Sequence, residues 1–497
     1  DAAGNMNLVW AADALAPDFS GSTPNGSPAV ISGETNAFVV SVQAFNTVAN
    51  FVADFDGPNN LPFTGVTVVM MDGNTMTANW KRGIPEYPAV VPFNVFSSLR
   101  PYYPTDLTIW TPGDQLDRTG ATIYGTTTSR TGLSGASVWS LTNWGAPAGD
   151  GTWAAGSGMT VWPSFPGSYT LTGSNTNVRT VGGNGVAYVN GFVASPVISG
   201  NSVFYVGHES PAVTGVGGIT VYQLHKDHLD DGVIYAATVK PRTFGPTGGA
   251  GFSDRFMPTP VASGGSLFVV CNQGGVTVYD TQDLAIGGGR TAGYIGNILL
   301  PVGATNTGVT ASPVVYETDQ NDPYIIMCGT SAVTCYKISD GLASNQRQWW
   351  YDFAANIGVN STIIGTPAVA GGYVFVPVTD SVTGSGVIYA FDITAAPDLP
   401  NGQLRFVDQF NLNSAAAASP IVVNQELWAF SYGLSPASSA QAMKWDIRNL
   451  LDDDELVAQP YWTQFKFDAA KTGDATLIED DDFFDDDDSG CFLSTIQ

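Results

Sequence analysis

The chain has 497 residues, 44% of them hydrophobic and 12% charged, with 57 glycines and 30 prolines. This composition excludes an intrinsically disordered chain, which combines low hydrophobicity with high charge, and the length allows a large buried core. Acidic residues outnumber basic ones by 44 to 18. That imbalance excludes nucleic acid as a partner, since phosphate binding needs clustered Lys and Arg, and it makes Ca²⁺ a candidate ligand.

The first residues, Asp1-Ala2-Ala3-Gly4, contain no initiator Met. We therefore expect that an N-terminal segment has been removed, as from an exported protein. No apolar run approaches the roughly 18 residues of a membrane-spanning helix. The sequence thus predicts a secreted protein, extracellular or on the cell surface, without a membrane span.

One short pattern recurs along the chain: a residue such as Ser, Thr or Tyr, then proline, then apolar residues. It occurs at Pro28, Pro88, Pro196, Pro260, Pro313, Pro367 and Pro420. Each occurrence is followed by an apolar strand, a Gly-rich turn and a second strand. These second strands begin at Val66, Val138, Ile219, Val276, Val333, Val387 and Met443. They are rich in β-branched and aromatic residues, as strands are.

A repeat of about 55 residues has room for four strands of usual length. Such a unit cannot bury its faces alone, so neighbouring units must pack together, and radial closure is the common solution. The sequence therefore predicts an all-β fold, a β-propeller of about seven four-stranded blades. Eight blades stay open, because the interval from Pro88 to Pro196 spans two units.

The predicted propeller occupies residues 1–473, with long loop insertions near 43–63, 92–120 and 143–190. Trp349 and Trp350 lie near the end of one unit, where we expect aromatic side chains to pack between blades. Residues 474–497 form a separate acidic tail.

Two phrases carry a family resemblance: GTPAVAGGYVFVPV (365–378) and YWTQFKFDAAKTG (461–473). They resemble the repeat of the pyrroloquinoline-quinone-like, or quinoprotein-type, propeller family, and the likeness covers about residues 190–473 well and residues 28–142 loosely. Enzymatic members of that family stack the quinone on a Trp and a vicinal disulfide. No two cysteines are adjacent here, and no CxxCH haem motif occurs. The resemblance therefore implies the propeller fold and favours a member that is not an enzyme.

The C-terminal tail joins an acidic run to a short strand-like end. Seven carboxylates are candidate Ca²⁺ ligands: Asp480, Asp481, Asp482, Asp485, Asp486, Asp487 and Asp488. Six other side chains are candidates for assembly by strand addition to a neighbour: Phe483, Phe484, Cys491, Phe492, Leu493 and Ile496. The end of the tail is similar to a Gly-Cys-Phe-Ile-Ser/Ala-Thr tail of exported bacterial proteins, which implies export of a bacterial type.

Cys328 and Cys335 flank a predicted two-residue turn at Ser331-Ala332. In that register the two cysteines face each other across a hairpin, close enough for a disulfide. Two buried free thiols are the alternative.

No nucleophile motif has the strand-to-helix context that catalysis needs. The leading hypothesis is an extracellular structural protein, a propeller that assembles with copies of itself into a surface filament or layer. A scaffold propeller that binds a glycan or another surface protein is the alternative. A quinone-dependent dehydrogenase is the third.

Overall fold

The computed structural model describes strand segments between residues 23 and 239 and, with short gaps, residues 259–450. The tail, with every residue assigned above to Ca²⁺ binding or assembly, lies outside the described residues. So do the Pro88 repeat and nearly all of the 43–63 insertion.

The chain divides into two compact units. In the first, the described strands form two antiparallel sheets, and one further strand follows them. Sheet one contains β1 (Thr23–Pro24), β2 (Ala29–Val30), β3 (Ala37–Gln43), β4 (Phe63–Asp72) and β5 (Ala78–Pro85). Sheet two contains β6 (Tyr102–Pro104), β7 (Thr108–Trp110), β8 (Thr122–Ser129), β9 (Ser137–Thr142) and β10 (Gly158–Pro163), and the further strand is β11 (Val189–Phe192).

The second unit contains five successive antiparallel sheets. Sheet three has β12 (Val197–Ser199), β13 (Ser202–Glu209), β14 (Gly218–His225) and β15 (Ile234–Val239). Sheet four has β16 (Val261–Ser263), β17 (Ser266–Cys271), β18 (Gly275–Asp280) and β19 (Tyr294–Leu299). Sheet five has β20 (Val314–Glu317), β21 (Pro323–Cys328), β22 (Ala332–Lys337) and β23 (Gln346–Asp352). Sheet six has β24 (Ser361–Thr362), β25 (Ala368–Ala370), β26 (Tyr373–Asp380), β27 (Gly386–Asp392) and β28 (Asp408–Asn411). Sheet seven has β29 (Ala415–Ala416), β30 (Ile421–Val423), β31 (Glu426–Tyr432) and β32 (Gln441–Asp446).

The strand order of these sheets is that of propeller blades. In sheets three, four and five the strands named above pair in chain order, each antiparallel to the next. In sheet six β25 to β28 do the same, and β24 also pairs with β26. In each of these sheets, the strand that follows the proline of the recurring pattern contacts the equivalent strand of the next sheet. The contacts join β12 to β16, β16 to β20, β20 to β25 and β25 to β30, which places these strands innermost. The fold is therefore all-β and of the β-propeller class, as the sequence predicts.

The seven predicted second strands all lie within observed strands. They fall in β4, β9, β14, β18, β22, β27 and β32. In sheets three, four and five each is the third of the strands named above rather than the second, and in sheet six β27 is the fourth. The interval 92–120, predicted as a loop, contains β6 and β7, and 143–190 contains β10. Thr and Tyr favour strands without a clear apolar alternation, which is why the pattern missed these segments.

Trp349 lies between sheets five and six, as predicted. Its side chain is fully buried, its ring stacks on Phe391 with centroids 5.4 Å apart, and its indole Nε1–H donates to the Ile393 carbonyl at 3.0 Å. The buried apolar side chains of sheets four, five and six form one continuous cluster around it. The faces of successive sheets thus form the core.

A single short α-helix occurs among the described residues, α1 (Phe353–Ile357), directly after β23, and one 3₁₀ turn lies at Pro400–Gly402. The Asp352 side chain caps it by accepting from the Ala355 N–H, and Gly358 ends it with φ of 69°. Only a residue tolerant of left-handed backbone fits such a position. No described helix has the length and hydropathy needed to cross a membrane.

Candidate functional site

Of the predicted site residues, the structure describes two, Cys328 and Cys335. The turn of their hairpin is Thr330-Ser331, because the Gly329 N–H donates to the Ala332 carbonyl at 2.8 Å. The turn predicted at Ser331-Ala332 was wrong by one residue. Cys328 therefore lies opposite Val333, and Cys335 lies opposite Ile326.

Both cysteines are free thiols in the interior of sheet five. Burial raises the pKa of each thiol well above its usual range, so neither is a nucleophile at neutral pH. They also do not form the adjacent-cysteine platform on which quinoprotein enzymes stack their cofactor. The described thiols thus do not fit that chemistry.

A long surface loop, from Ile393 to Val407, joins β27 to β28 in sheet six. It starts at Asp392, whose Oδ1 accepts the backbone N–H groups of Thr394 at 2.9 Å and Ala395 at 3.1 Å. The Ile393 N–H donates to the Gly372 carbonyl at 2.8 Å. Ordered connections longer than about 12 residues are uncommon and are often functional.

The middle of this loop is attached to the outer strand of sheet five. The Leu404 N–H donates to the Trp350 carbonyl at 2.9 Å. Buried Gln403 accepts the Asp352 N–H at its Oε1, also at 2.9 Å, and the Trp350 indole donates to the Asn401 carbonyl at 3.0 Å. The loop covers an edge that would otherwise expose unpaired backbone groups, and the same bonds fix its conformation.

The outward side of the loop is charged. The Arg405 Nε lies 3.5 Å from Asp398 Oδ2, and the Arg405 N–H donates to Asp398 Oδ1 at 2.8 Å. The Arg405 side chain is 66% exposed. Val407, at the end of the loop, is also exposed.

Sheet seven repeats this arrangement at the same end. The Ile447 N–H donates to the Gln425 carbonyl at 2.9 Å, as Ile393 does one repeat earlier. Asp446 pairs with Arg448, whose side chain is likewise 66% exposed.

Beside them, Lys444 Nζ lies 2.6 Å from Glu426 Oε1 and 5.3 Å from the Trp428 ring centroid. We call the surface formed by residues 392–407, Glu426, Lys444 and residues 446–450 the charged loop end.

The carboxyl group of Asp446 is strongly affected by this environment. Hydrogen bonds from the Arg448 side chain and backbone lower its pKa to about 2. Because the group is on the surface, the shift reports local hydrogen bonding and says little about global stability.

The charged loop end displays three ion pairs on fixed backbone, beside exposed apolar groups. Among the residues that the structure describes, no three His, Cys, Asp or Glu side chains come together to hold a metal ion. Arg and Trp at a rigid, partly apolar surface are typical of protein recognition. The arrangement is therefore suited to binding a macromolecule.

Sequence reasoning missed this surface although a signal for it exists. An aromatic residue followed by Asp ends one strand in each of three sheets: Tyr279-Asp280 ends β18, Phe391-Asp392 ends β27 and Trp445-Asp446 ends β32. In sheet six that Asp initiates the long connection, and in sheet seven it accepts the backbone N–H of Arg448. The repeated pair marks where these loops begin.

No family model and no curated protein match the chain. Several solved structures are similar at low identity. BamB from Moraxella catarrhalis is 13% identical with a TM-score of 0.40, over 82% of this chain and 80% of its own. The quinohemoprotein alcohol dehydrogenase ADHIIG from Pseudomonas putida HK5 is 10% identical with a TM-score of 0.40, over 80% and 61%. The C-terminal domain of Pseudomonas aeruginosa PilY1 is 11% identical with a TM-score of 0.38, over 78% and 90%. The assignment to the propeller class rests on the sheet order itself.

Proposed function

We propose that this chain is an extracellular propeller that acts as a binding scaffold, with the charged loop end as its binding surface. The observation that carries the proposal is the Ile393–Val407 loop, which is bonded to two sheets and holds Arg405 and Asp398 outward. A surface ordered before binding loses little conformational entropy when a partner binds.

The partner that we propose is a second copy of the chain, bound through the tail. Seven aspartates and the phenylalanines Phe483 and Phe484 need cationic and apolar groups on the surface that receives them. The charged loop end supplies Arg405, Lys444 and Arg448, each already paired with a carboxylate of the same surface, together with exposed Val407. The tail's aspartates would share these cations with those carboxylates or bind beside them through Ca²⁺. A contact of this head-to-tail kind extends into a polymer when its rotation does not close.

The test is the mass distribution of the full-length chain over a range of concentrations, measured by mass photometry and sedimentation with Ca²⁺ and with a chelator. We expect oligomers that dissociate when residues 474–497 are deleted. Replacing both Arg405 and Arg448 by Ala should weaken association about tenfold, which corresponds to roughly 1.4 kcal/mol. Val382→Ser, at the opposite end of sheet six, is the matched control and should leave association unchanged.

A chain that stays monomeric under all these conditions would overturn self-assembly. Normal association of the double arginine variant would overturn the role of the charged loop end. Loss of association with the arginine variant but not with the tail deletion would show that a different segment binds this surface.

A further inference from the structure

We propose that Asn360 is modified by an N-linked glycan. The chain contains two Asn-X-Ser/Thr triplets, Asn360-Ser361-Thr362 and Asn25-Gly26-Ser27. This triplet, without proline in the middle, is the acceptor for N-glycosylation in exported proteins. The inference rests on the extracellular location proposed above.

Asn360 lies in the connection between α1 and β24, where its side chain is exposed. Its backbone is fixed, because its carbonyl accepts both the N–H and the Oγ–H of Ser381 at 2.8 Å. Within the described residues, no hydrogen bond engages the Asn360 side chain. The amide is thus presented to solvent on a rigid main chain, so that a glycan attached there disturbs no native contact.

The other two residues of the triplet are held by the sheet. Buried Ser361 donates through Oγ to the Thr330 carbonyl at 3.0 Å. Thr362, the last residue of β24, pairs with Thr379 in β26. The chain therefore turns from the surface into the sheet directly after Asn360. Asn360 therefore lies at the edge of sheet six, just before β24, and Ser361 and Thr362 hold the chain in place.

Two exposed apolar side chains surround this position. Ile357, at the end of α1, is 39% exposed, and Val382, next to Ser381, is 73% exposed. The turn that carries Val382 is well ordered, since Asp380 accepts the Val382 N–H at 2.9 Å and the Thr383 hydroxyl at 2.8 Å. A sugar on Asn360 would shield both apolar groups from water.

The glycan would leave the proposed binding surface free. Ser381, bonded to Asn360, follows the last residue of β26, whereas Gly372, bonded to Ile393, precedes its first residue. Eight strand residues at about 3.3 Å each separate these points by roughly 25 Å. One end of sheet six would carry the sugar and the other end the protein contact.

The modification is a group transfer from a lipid-linked oligosaccharyl diphosphate. The Asn360 Nδ2 forms a bond to the anomeric carbon, and the bond between that carbon and the phosphate oxygen breaks. The amide loses one proton, and the lipid diphosphate leaves with the bonding pair. No oxidation or reduction is involved.

The experiment uses the full-length protein secreted by its own cells. Peptide mass spectrometry, with enzymatic release of glycans in ¹⁸O-water, identifies modified asparagines. We expect glycan at Asn360, loss of it in Thr362→Ala and retention in Thr362→Ser, which keeps the triplet. Exposed Asn401, outside any triplet, is the internal control.

Unmodified Asn360 in protein recovered outside the cell would overturn the inference and leave the scaffold proposal intact. Modification that survives Thr362→Ala would also overturn it. Protein found only inside cells would overturn the extracellular location, and the glycan with it. Because self-association of Thr362→Ala is measured separately, failure of the binding proposal is distinguishable from failure of this one.

Discussion

The backbone N–H of Thr366 in sheet six donates a 2.9 Å hydrogen bond to the Oγ of Ser419 in sheet seven. Two sheets earlier, Thr259 donates to Ser312 in the same way at 2.8 Å. All four residues directly precede a proline of the repeated pattern. Proline ends the ladder because it has no N–H, and the hydroxyl before it accepts a bond from the preceding sheet. The recurring dipeptide is thus an inter-sheet connection.

Ser419→Ala should destabilise the second unit. The variant leaves the N–H of Thr366, a residue only 3% exposed, without its acceptor, and such a loss costs about 1–3 kcal/mol. The midpoint of denaturant unfolding followed by Trp fluorescence should fall. Ser419→Thr keeps the hydroxyl and should unfold near the wild-type midpoint. Equal midpoints for the Ala variant and the wild type would show that the bond contributes nothing.

Gly365→Ala should destabilise the contact between sheets six and seven. An added Cβ would lie 2.6 Å from the carbonyl oxygen of Ala418, and overpacking of this kind costs typically about 1–3 kcal/mol. Differential scanning calorimetry should show a lower Tm. Adding Ala418→Gly should give no rescue, because the obstructing atom belongs to the backbone. A wild-type Tm for the single variant, or rescue by the second substitution, would contradict the close approach.

Trp349→Phe should weaken the packing of sheet five on sheet six. The variant keeps an aromatic ring against Phe391 but leaves the buried Ile393 carbonyl without the indole N–H. We expect a loss of about 1–3 kcal/mol in unfolding free energy, and about 3–5 kcal/mol for Trp349→Ala, which also opens a cavity. An unfolding free energy for Trp349→Phe equal to that of the wild type would show that the hydrogen bond is unimportant, and equal losses for the two variants would show that the ring packing contributes nothing.

The Asp446 carboxyl should titrate near pH 2 rather than at its usual 3.8. Its pKa in the folded state is depressed, so the interaction with Arg448 is fully present above about pH 4 and is lost as the pH falls toward 2. Carboxyl-detected NMR of the folded protein measures the midpoint. Arg448→Gln should move it back toward 3.8, whereas Arg405→Gln should not. An unchanged midpoint in Arg448→Gln would assign the shift to another cause.

Cys328 and Cys335 should resist thiol reagents in the folded protein, since burial raises the pKa of both. Alkylation without reductant, followed by peptide mass spectrometry, should find both unlabelled in the native state. After denaturation, still without reductant, both should be labelled. Failure to label in the denatured protein would reveal a disulfide and would contradict the register in which Cys328 lies opposite Val333.

Much of the fold was predictable because it depends on local patterns. The prolines at Pro196, Pro260, Pro313, Pro367 and Pro420 each precede an inner strand. The apolar runs beginning at Val276, Val333 and Val387 identify β18, β22 and β27. Alternation and turn residues act over a few positions, so the sequence shows them directly. The blade count and the tail stay predictions.

Register and loop geometry depend on contacts between distant residues. The turn lies one position earlier than the sequence predicts, so Cys328 and Cys335 do not face each other. The hydrogen bond from the Gly329 N–H to the Ala332 carbonyl fixes this turn, and the residue types alone do not specify it. The charged loop end exists only because Gln403 and Leu404 meet Trp350 and Asp352 across two sheets. The sequence by itself determined which segments become strands and that they repeat. Tertiary structure decided which hydroxyl, indole or carboxylate each repeat presents to the next, since those partners lie about fifty residues apart along the chain.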